Sequence, residues 1–135
     1  MGQRVRLLVS LVSSVLFTPF CVPVAKAQGI DGNELIGVCD GSFENAEALC
    51  KMYIWGTIEG LQFGADAAAF NSGFTEDDAM RAQAQVFLGV CDPKSVTRGQ
   101  QFEVAMQYIR NNPQSWHQPS IVLIHRSLME AFPCQ

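Results

Sequence analysis

From position 28 onward the apolar residues recur every three or four positions, the period of helices that bury one face. Period-two alternation is absent apart from a short piece at 86–91, which reads as extended. A short helix is expected over 33–38. Asp31 or Asn33 can cap it, because a short polar side chain accepts the unpaired amide protons of a first turn. Asp40-Gly41-Ser42 breaks it. A long helix over 44–70 follows, with Leu49, Tyr53, Ile54, Ile58 and Leu61 as its apolar positions. Asn71-Ser72-Gly73 forms a loop, and Thr75, ahead of Glu76, Asp77 and Asp78, reads as the cap of a short helix reaching about position 83. Cys91-Asp92-Pro93 is an extended turn, since a proline disfavours helical backbone in the residue before it. Thr97 with Gln100 makes a capping box for a helix that runs to about position 111, with Phe102, Ala105, Met106 and Ile109 as core stripe and Tyr108 alongside. Asn111-Asn112-Pro113 stops it. The last helix starts near Pro119, which suits a first turn because its missing amide proton would be unpaired there anyway. Ile121, Ile124, Leu128, Ala131 and Phe132 are its expected buried face, and Pro133 ends it. The fold class is therefore all-α, a single small domain of four or five helices without linker, repeat or low-complexity tract.

Gly56, Gly60 and Gly64 fall on one face of the long helix. Each glycine costs about 1 kcal/mol in a helix interior relative to alanine. Three in register predict a compensating close approach of another helix backbone, here within the molecule.

The first 27 residues read differently. Arg4 and Arg6 precede an apolar run over 7–20, and Ala25-Lys26-Ala27 places small residues where a signal peptidase cuts. The run is too short to span a bilayer comfortably. Residues 1–27 are expected to be a cleaved signal peptide, leaving 28–135 as the mature domain. Cys21 follows Phe20 rather than the small residues a lipidation site requires, so cleavage after it is the better reading. Removing the leader takes away three bases and no acid, so the remainder carries thirteen acids against six bases, a net charge of −7. That balance disfavours nucleic acid and anionic membranes and suits a basic protein partner.

Four cysteines remain: Cys39, Cys50, Cys91 and Cys134. An even number in an exported small domain reads as two disulfides, with three pairings open. No pair has zinc-knuckle spacing and no C-x-x-C occurs. The pattern offers no catalytic motif: no nucleophile elbow, no H-E-x-x-H, no phosphate-binding loop and no dinucleotide fingerprint. His117 beside Trp116 reads as a loop histidine, and His125 as a residue at the edge of the core. Glu59 is either solvated or paired with a base such as Arg126. No enzyme activity, cofactor or metal is expected.

Several segments together resemble the Rap/Tai family of bacterial immunity proteins. They are Asn33-Glu34-Leu35 before Cys39; Cys50-Lys51-Met52-Tyr53-Ile54-Trp55-Gly56; Phe87-Leu88-Gly89-Val90-Cys91-Asp92-Pro93 leading to Val96-Thr97-Arg98-Gly99-Gln100; Tyr108-Ile109-Arg110-Asn111-Asn112-Pro113 and then His117; and Ser127-Leu128-Met129-Glu130-Ala131-Phe132-Pro133-Cys134. They keep the family's order and cover most of the mature chain. The resemblance implies an all-α fold with two disulfides, export to the periplasm, and dimers that bind and block peptidoglycan amidase toxins of the type VI secretion system. With loop plausibility, it favours Cys39–Cys50 and Cys91–Cys134 as the pairs. The matched positions are mostly scaffold, so it carries over no contact residue.

The leading expectation is a periplasmic immunity protein that inhibits sterically. The loop with Asn71, Ser72 and Thr75 and the loop with Trp116 and His117 are its candidate partner-binding regions. The competing class is a small periplasmic chaperone or stress protein, in which the Gly56/Gly60/Gly64 face would be a switchable dimer contact. Mass spectrometry of the exported protein should give a chain starting at Gln28. A product retaining residues 1–27 would refute the signal-peptide reading.

Overall fold

A computed structural model describes residues 29–91 and 93–134. The expected signal peptide, Cys21 and Asp92 lie outside them. The described residues form five α-helices and no strand: α1 (Gly32–Cys39), α2 (Ala46–Asn71), α3 (Asp77–Leu88), α4 (Arg98–Asn111) and α5 (Ser120–Ala131), with a 3-10 turn at Pro113–Ser115. None is long and apolar enough to cross a membrane.

Two helix starts follow from their capping residues. Asp31 accepts the amide proton of Glu34 at 2.9 Å while the Glu34 carboxylate accepts that of Asp31 at 3.0 Å. Thr97 and Gln100 repeat the exchange at 3.2 and 2.8 Å. Helix α4 ends at Asn111 and α5 starts beside Pro119, as expected, but other boundaries depart from expectation. Helix α2 begins two residues late because Asn45 takes a left-handed conformation, φ 65°, which asparagine tolerates better than most side chains. Thr75 caps nothing; Glu76 occupies the N-cap of α3 with no side-chain bond. The extended piece expected at 86–91 is helical through Leu88. Gly89, at φ 67°, ends α3 in the left-handed cap that glycine favours. Val90 then forms an isolated bridge with Pro133, and the Cys91 amide donates to the Phe132 carbonyl at 2.8 Å.

The core sits where α1, α2, α4 and α5 converge. Leu35, Ile54, Ala105, Ile109, Leu123 and Ile124 have no exposed surface, and Cys50, Ile58, Val90, Met106 and Leu128 complete the cluster. Helix α3 packs mainly along α2 through a second, smaller cluster of Ala65, Ala69 and Ala84. On α5 the buried face is Ser120, Leu123, Ile124, Ser127 and Leu128. Ile121, expected inside, is 46 % exposed, and Ala131 is exposed as well. Leu49 on α2, also expected inside, is half exposed.

Buried polar groups are paired. The Ser120 hydroxyl donates to the Ile30 carbonyl at 2.7 Å, so the Tyr53 hydroxyl, 2.5 Å away, donates to Ser120. This chain ties α2, α5 and the strand-like entry to α1. Trp55 donates to the Arg98 carbonyl at 3.2 Å and meets the Phe102 ring edge-on, holding the start of α4 on α2. Glu59 pairs with Arg98, not with Arg126, and Arg110 binds Asp40 at 2.7 Å. In the first turns of α2, Lys51 donates to Glu47 and holds its carboxyl below the ordinary range. That pair is exposed, so it adds little to stability.

Cys39–Cys50 and Cys91–Cys134 form the two disulfides, each with Cα atoms 4.9 Å apart. The closed loops, 11 and 43 residues in sequence separation, are worth about 3 and about 4 kcal/mol in the chain-entropy account.

The glycine stripe contradicts the expectation of internal packing. Gly56, Gly60 and Gly64 are exposed, and a Cβ at any of them would meet nothing within 4 Å. Their face points away from the core because Cys50, Ile54, Ile58, Ala65 and Ala69 claim the other side of the same helix.

Truncations on α5 test its corrected orientation. Leu123→Ala should cost about 2–5 kcal/mol in urea unfolding, and Ile121→Ala less than about 0.5. Equal losses would mean that α5 is rotated from the orientation described.

Candidate partner-binding surface

Helices α2 and α3 form a hairpin joined by 72–76. Toward α5 the hairpin opens into a groove of about 770 Å³. Ile58, Leu88 and Leu128 contribute apolar wall. Arg81, Lys94 and Arg98 line it together with Asp66 and Asp78. Three of the six bases after position 27 therefore meet at one groove of an otherwise acidic domain. His125 also faces it, and its Nε2 lies 2.7 Å from the Leu88 carbonyl. A carbonyl only accepts, so Nε2 carries the proton, and the bond fixes α5 to the end of α3.

The first loop chosen from sequence stands at the tip of the hairpin. Asn71, Ser72 and Thr75 are all exposed. Ser72 is committed to ending α2: its amide and hydroxyl both donate to the Ala68 carbonyl, at 3.1 and 2.9 Å. Gly73 turns the chain at φ 95°. Phe70 and Phe74, 59 % and 37 % exposed, flank the tip with aromatic surface.

The second loop is built into the scaffold. Trp116 is half-buried and donates its ring proton to the Ile109 carbonyl at 2.7 Å. The carbonyls of Trp116 and Gln118 accept the first amides of α1, from Asn33 and Gly32, both at 3.1 Å. The backbone of Trp116 comes so close that a Cβ at Gly32 would lie 2.8 Å from its Cα, so only glycine fits there. His117 is exposed beside it.

The two loops are not brought together. Ser120, just after the second loop, contacts Tyr53, and Asn71 lies eighteen residues further along α2. At 1.5 Å per residue that is about 27 Å. The hairpin tip belongs to the α2–α3 half and the Trp116 loop to the α1–α4–α5 half, while the groove is lined from both. Among the described residues no three His, Cys, Asp or Glu side chains cluster to hold a metal ion.

The family model for Rap1a immunity proteins matches residues 31–134, which spans every helix and both disulfides. The chain belongs to this family. Among curated proteins and among solved structures, none matches it. A Rap1a-family chain is an immunity protein by description, which implies a protein partner.

The groove escaped the sequence reading because its cations come from α3, the 93–97 segment and the start of α4, which only the folded chain brings to one groove. A basic cluster between 81 and 98 in an acidic chain was the available signal.

Trp116→Ala separates scaffold from contact. It removes a partly buried hydrogen bond and a large side chain at the α1–α4 junction, and should cost about 3 kcal/mol of stability. A stable variant would show that the ring is not structural.

Proposed function

We propose that the protein is a periplasmic immunity protein that binds a peptidoglycan amidase toxin of type VI secretion and blocks its cleft by steric occupation. Membership of the Rap1a immunity family across residues 31–134 carries this reading. Disulfides persist in oxidising compartments such as the bacterial periplasm, which supports export. A doubly stapled helical scaffold keeps its loops ordered before binding, so little ordering entropy is lost on association.

Asn71, Ser72 and Thr75 at the hairpin tip are the proposed leading contacts, with the groove beside them receiving an extended segment of the toxin. His117 is a second, separate contact, with Trp116 as its support. The acidic surface steers a basic toxin toward the domain, and Arg81 and Lys94 select an acidic group on the segment that enters the groove.

The test is inhibition of a peptidoglycan amidase effector by the oxidised protein, with affinity measured by calorimetry. Wild type should bind and inhibit. Thr75→Arg and Arg81→Glu should each weaken binding about ten-fold or more with helicity unchanged, since both residues are exposed. A folded wild-type protein that neither binds the amidase nor protects cells receiving it in the periplasm would refute the proposal.

A further inference from the structure

The two disulfides sit in unlike surroundings. Cys50 is 2 % exposed and belongs to the core cluster, where its sulfur lies 3.9 Å from that of Met106. Cys134 is exposed and Cys91 partly so. A bridge yields to thiol–disulfide exchange when one sulfur can be reached and the other leaves readily as a thiolate. Cys91–Cys134 meets both conditions. Burial shuts off attack at Cys50, and attack at Cys39 would expel the Cys50 thiolate into the core, where leaving a charge among apolar side chains is costly.

The exposed bridge stands at the foot of the groove. Cys91 lies between Val90 and the 93–97 segment, and Val90, Pro93, Lys94 and Val96 all line the groove. At its other end the Cys134 sulfur is 3.7 Å from the carbonyl of Gln85, a groove residue on α3. The Cys91 amide bond to Phe132 and the Val90–Pro133 bridge are backbone contacts at the same corner. Once the sulfurs part, nothing covalent keeps these partners in register. Helix α3 itself rests on α2 through alanines, so its end has little apolar burial to hold it.

We propose that Cys91–Cys134 is a redox-sensitive clasp. A dithiol opens it while Cys39–Cys50 stays closed, the 90–97 segment comes away from the end of α3, and the groove loses the wall that carries Val90 and Lys94. One thiolate of the dithiol attacks the Cys134 sulfur, a mixed disulfide forms, and Cys91 leaves as a thiolate. The second thiol of the dithiol then displaces Cys134 and closes the reagent's own disulfide, so two electrons and two protons pass to the cysteine pair. The helical core stays folded, because the Tyr53–Ser120–Ile30 chain, the Trp116 bond to Ile109 and the Cys39–Cys50 bridge do not involve the clasp. What the opening does to a toxin rests on the reading of the groove given above; the opening itself does not.

The probe is dithiothreitol, added in rising amounts to the oxidised protein, with free thiols then alkylated and located by peptide mass spectrometry. Cys91 and Cys134 should be labelled about ten-fold or more faster than Cys39 and Cys50. Trypsin reads the looseness of the groove wall, since cleavage follows the population of the open form. With the clasp reduced, the cut after Lys94 should speed up about ten-fold or more, while Arg126, inside α5, stays uncut and helicity is kept. Cys91→Ser combined with Cys134→Ser should reproduce this without reductant. Bridges that open together overturn the proposal. So does an unchanged cut at Lys94, or a double variant in which Arg126 is cut as readily as Lys94, the mark of a domain that unfolds as a whole. Amidase affinity, measured in parallel, should fall about ten-fold or more on reduction. An affinity that holds while Lys94 opens removes the toxin from the groove and leaves the clasp standing.

Discussion

Burial of one stripe of α2 is the constraint on which the other helices depend. Ile54 has no exposed surface and Ile58 almost none, and both lie where α1, α4 and α5 converge. Cys50, one turn earlier, extends the stripe and touches Met106, with their sulfurs 3.9 Å apart. Covering an isoleucine completely contributes about 1.5–3 kcal/mol. No single neighbour can cover both, since α1 is only eight residues long and α4 and α5 each reach part of the stripe. The helices must therefore be held to one another as well as to α2. The Tyr53–Ser120–Ile30 chain, the Trp116 bond to Ile109 and the Arg110–Asp40 pair provide those cross-ties.

The same commitment leaves α3 in a different position. It packs on α2 through alanines, whose small side chains permit close approach but contribute little apolar area each. The hairpin thus has less burial behind it than the rest of the domain, and its cohesion relies on Leu88, on the His125 bond and on the return of the C-terminal segment to Val90 and Cys91. The proposed leading contacts at the hairpin tip occupy this half, consistent with the general placement of binding elements on parts of a fold that are positioned by a more rigid remainder.

Much of the architecture was legible in the sequence. Period located all five helices, and capping chemistry placed the starts of α1 and α4, because Asp31 with Glu34 and Thr97 with Gln100 bond locally and owe nothing to the rest of the fold. The disulfide pairs agree with the resemblance-based preference. Errors arose where a tertiary contact outweighed a local signal. Thr75 resembled a cap, yet Phe74 bonds back to Ala69 and starts α3 later. Ile121 and Leu123 both suited a helix core, and periodicity over twelve residues could not rank them; the position of Ser120, held by Ile30 and Tyr53, sets the rotation that buries Leu123. The glycine stripe implied a close neighbour and the fold supplies none, because nothing in a linear pattern says on which side of a helix the core will lie. The groove could not be foreseen at all, since its lining comes from separate segments.

The Cys91–Cys134 link closes residues 92–133, and with them α4 and α5, into a covalent ring. Cys39–Cys50 similarly closes off 40–49. Tension applied between the two ends of the chain passes through the sulfur bridges and bypasses both rings. Only α1, α2, α3 and their short connections lie along the load-bearing path. While the bridges stay oxidised, α4 and α5 cannot themselves be pulled straight, whereas α1, α2 and α3 can.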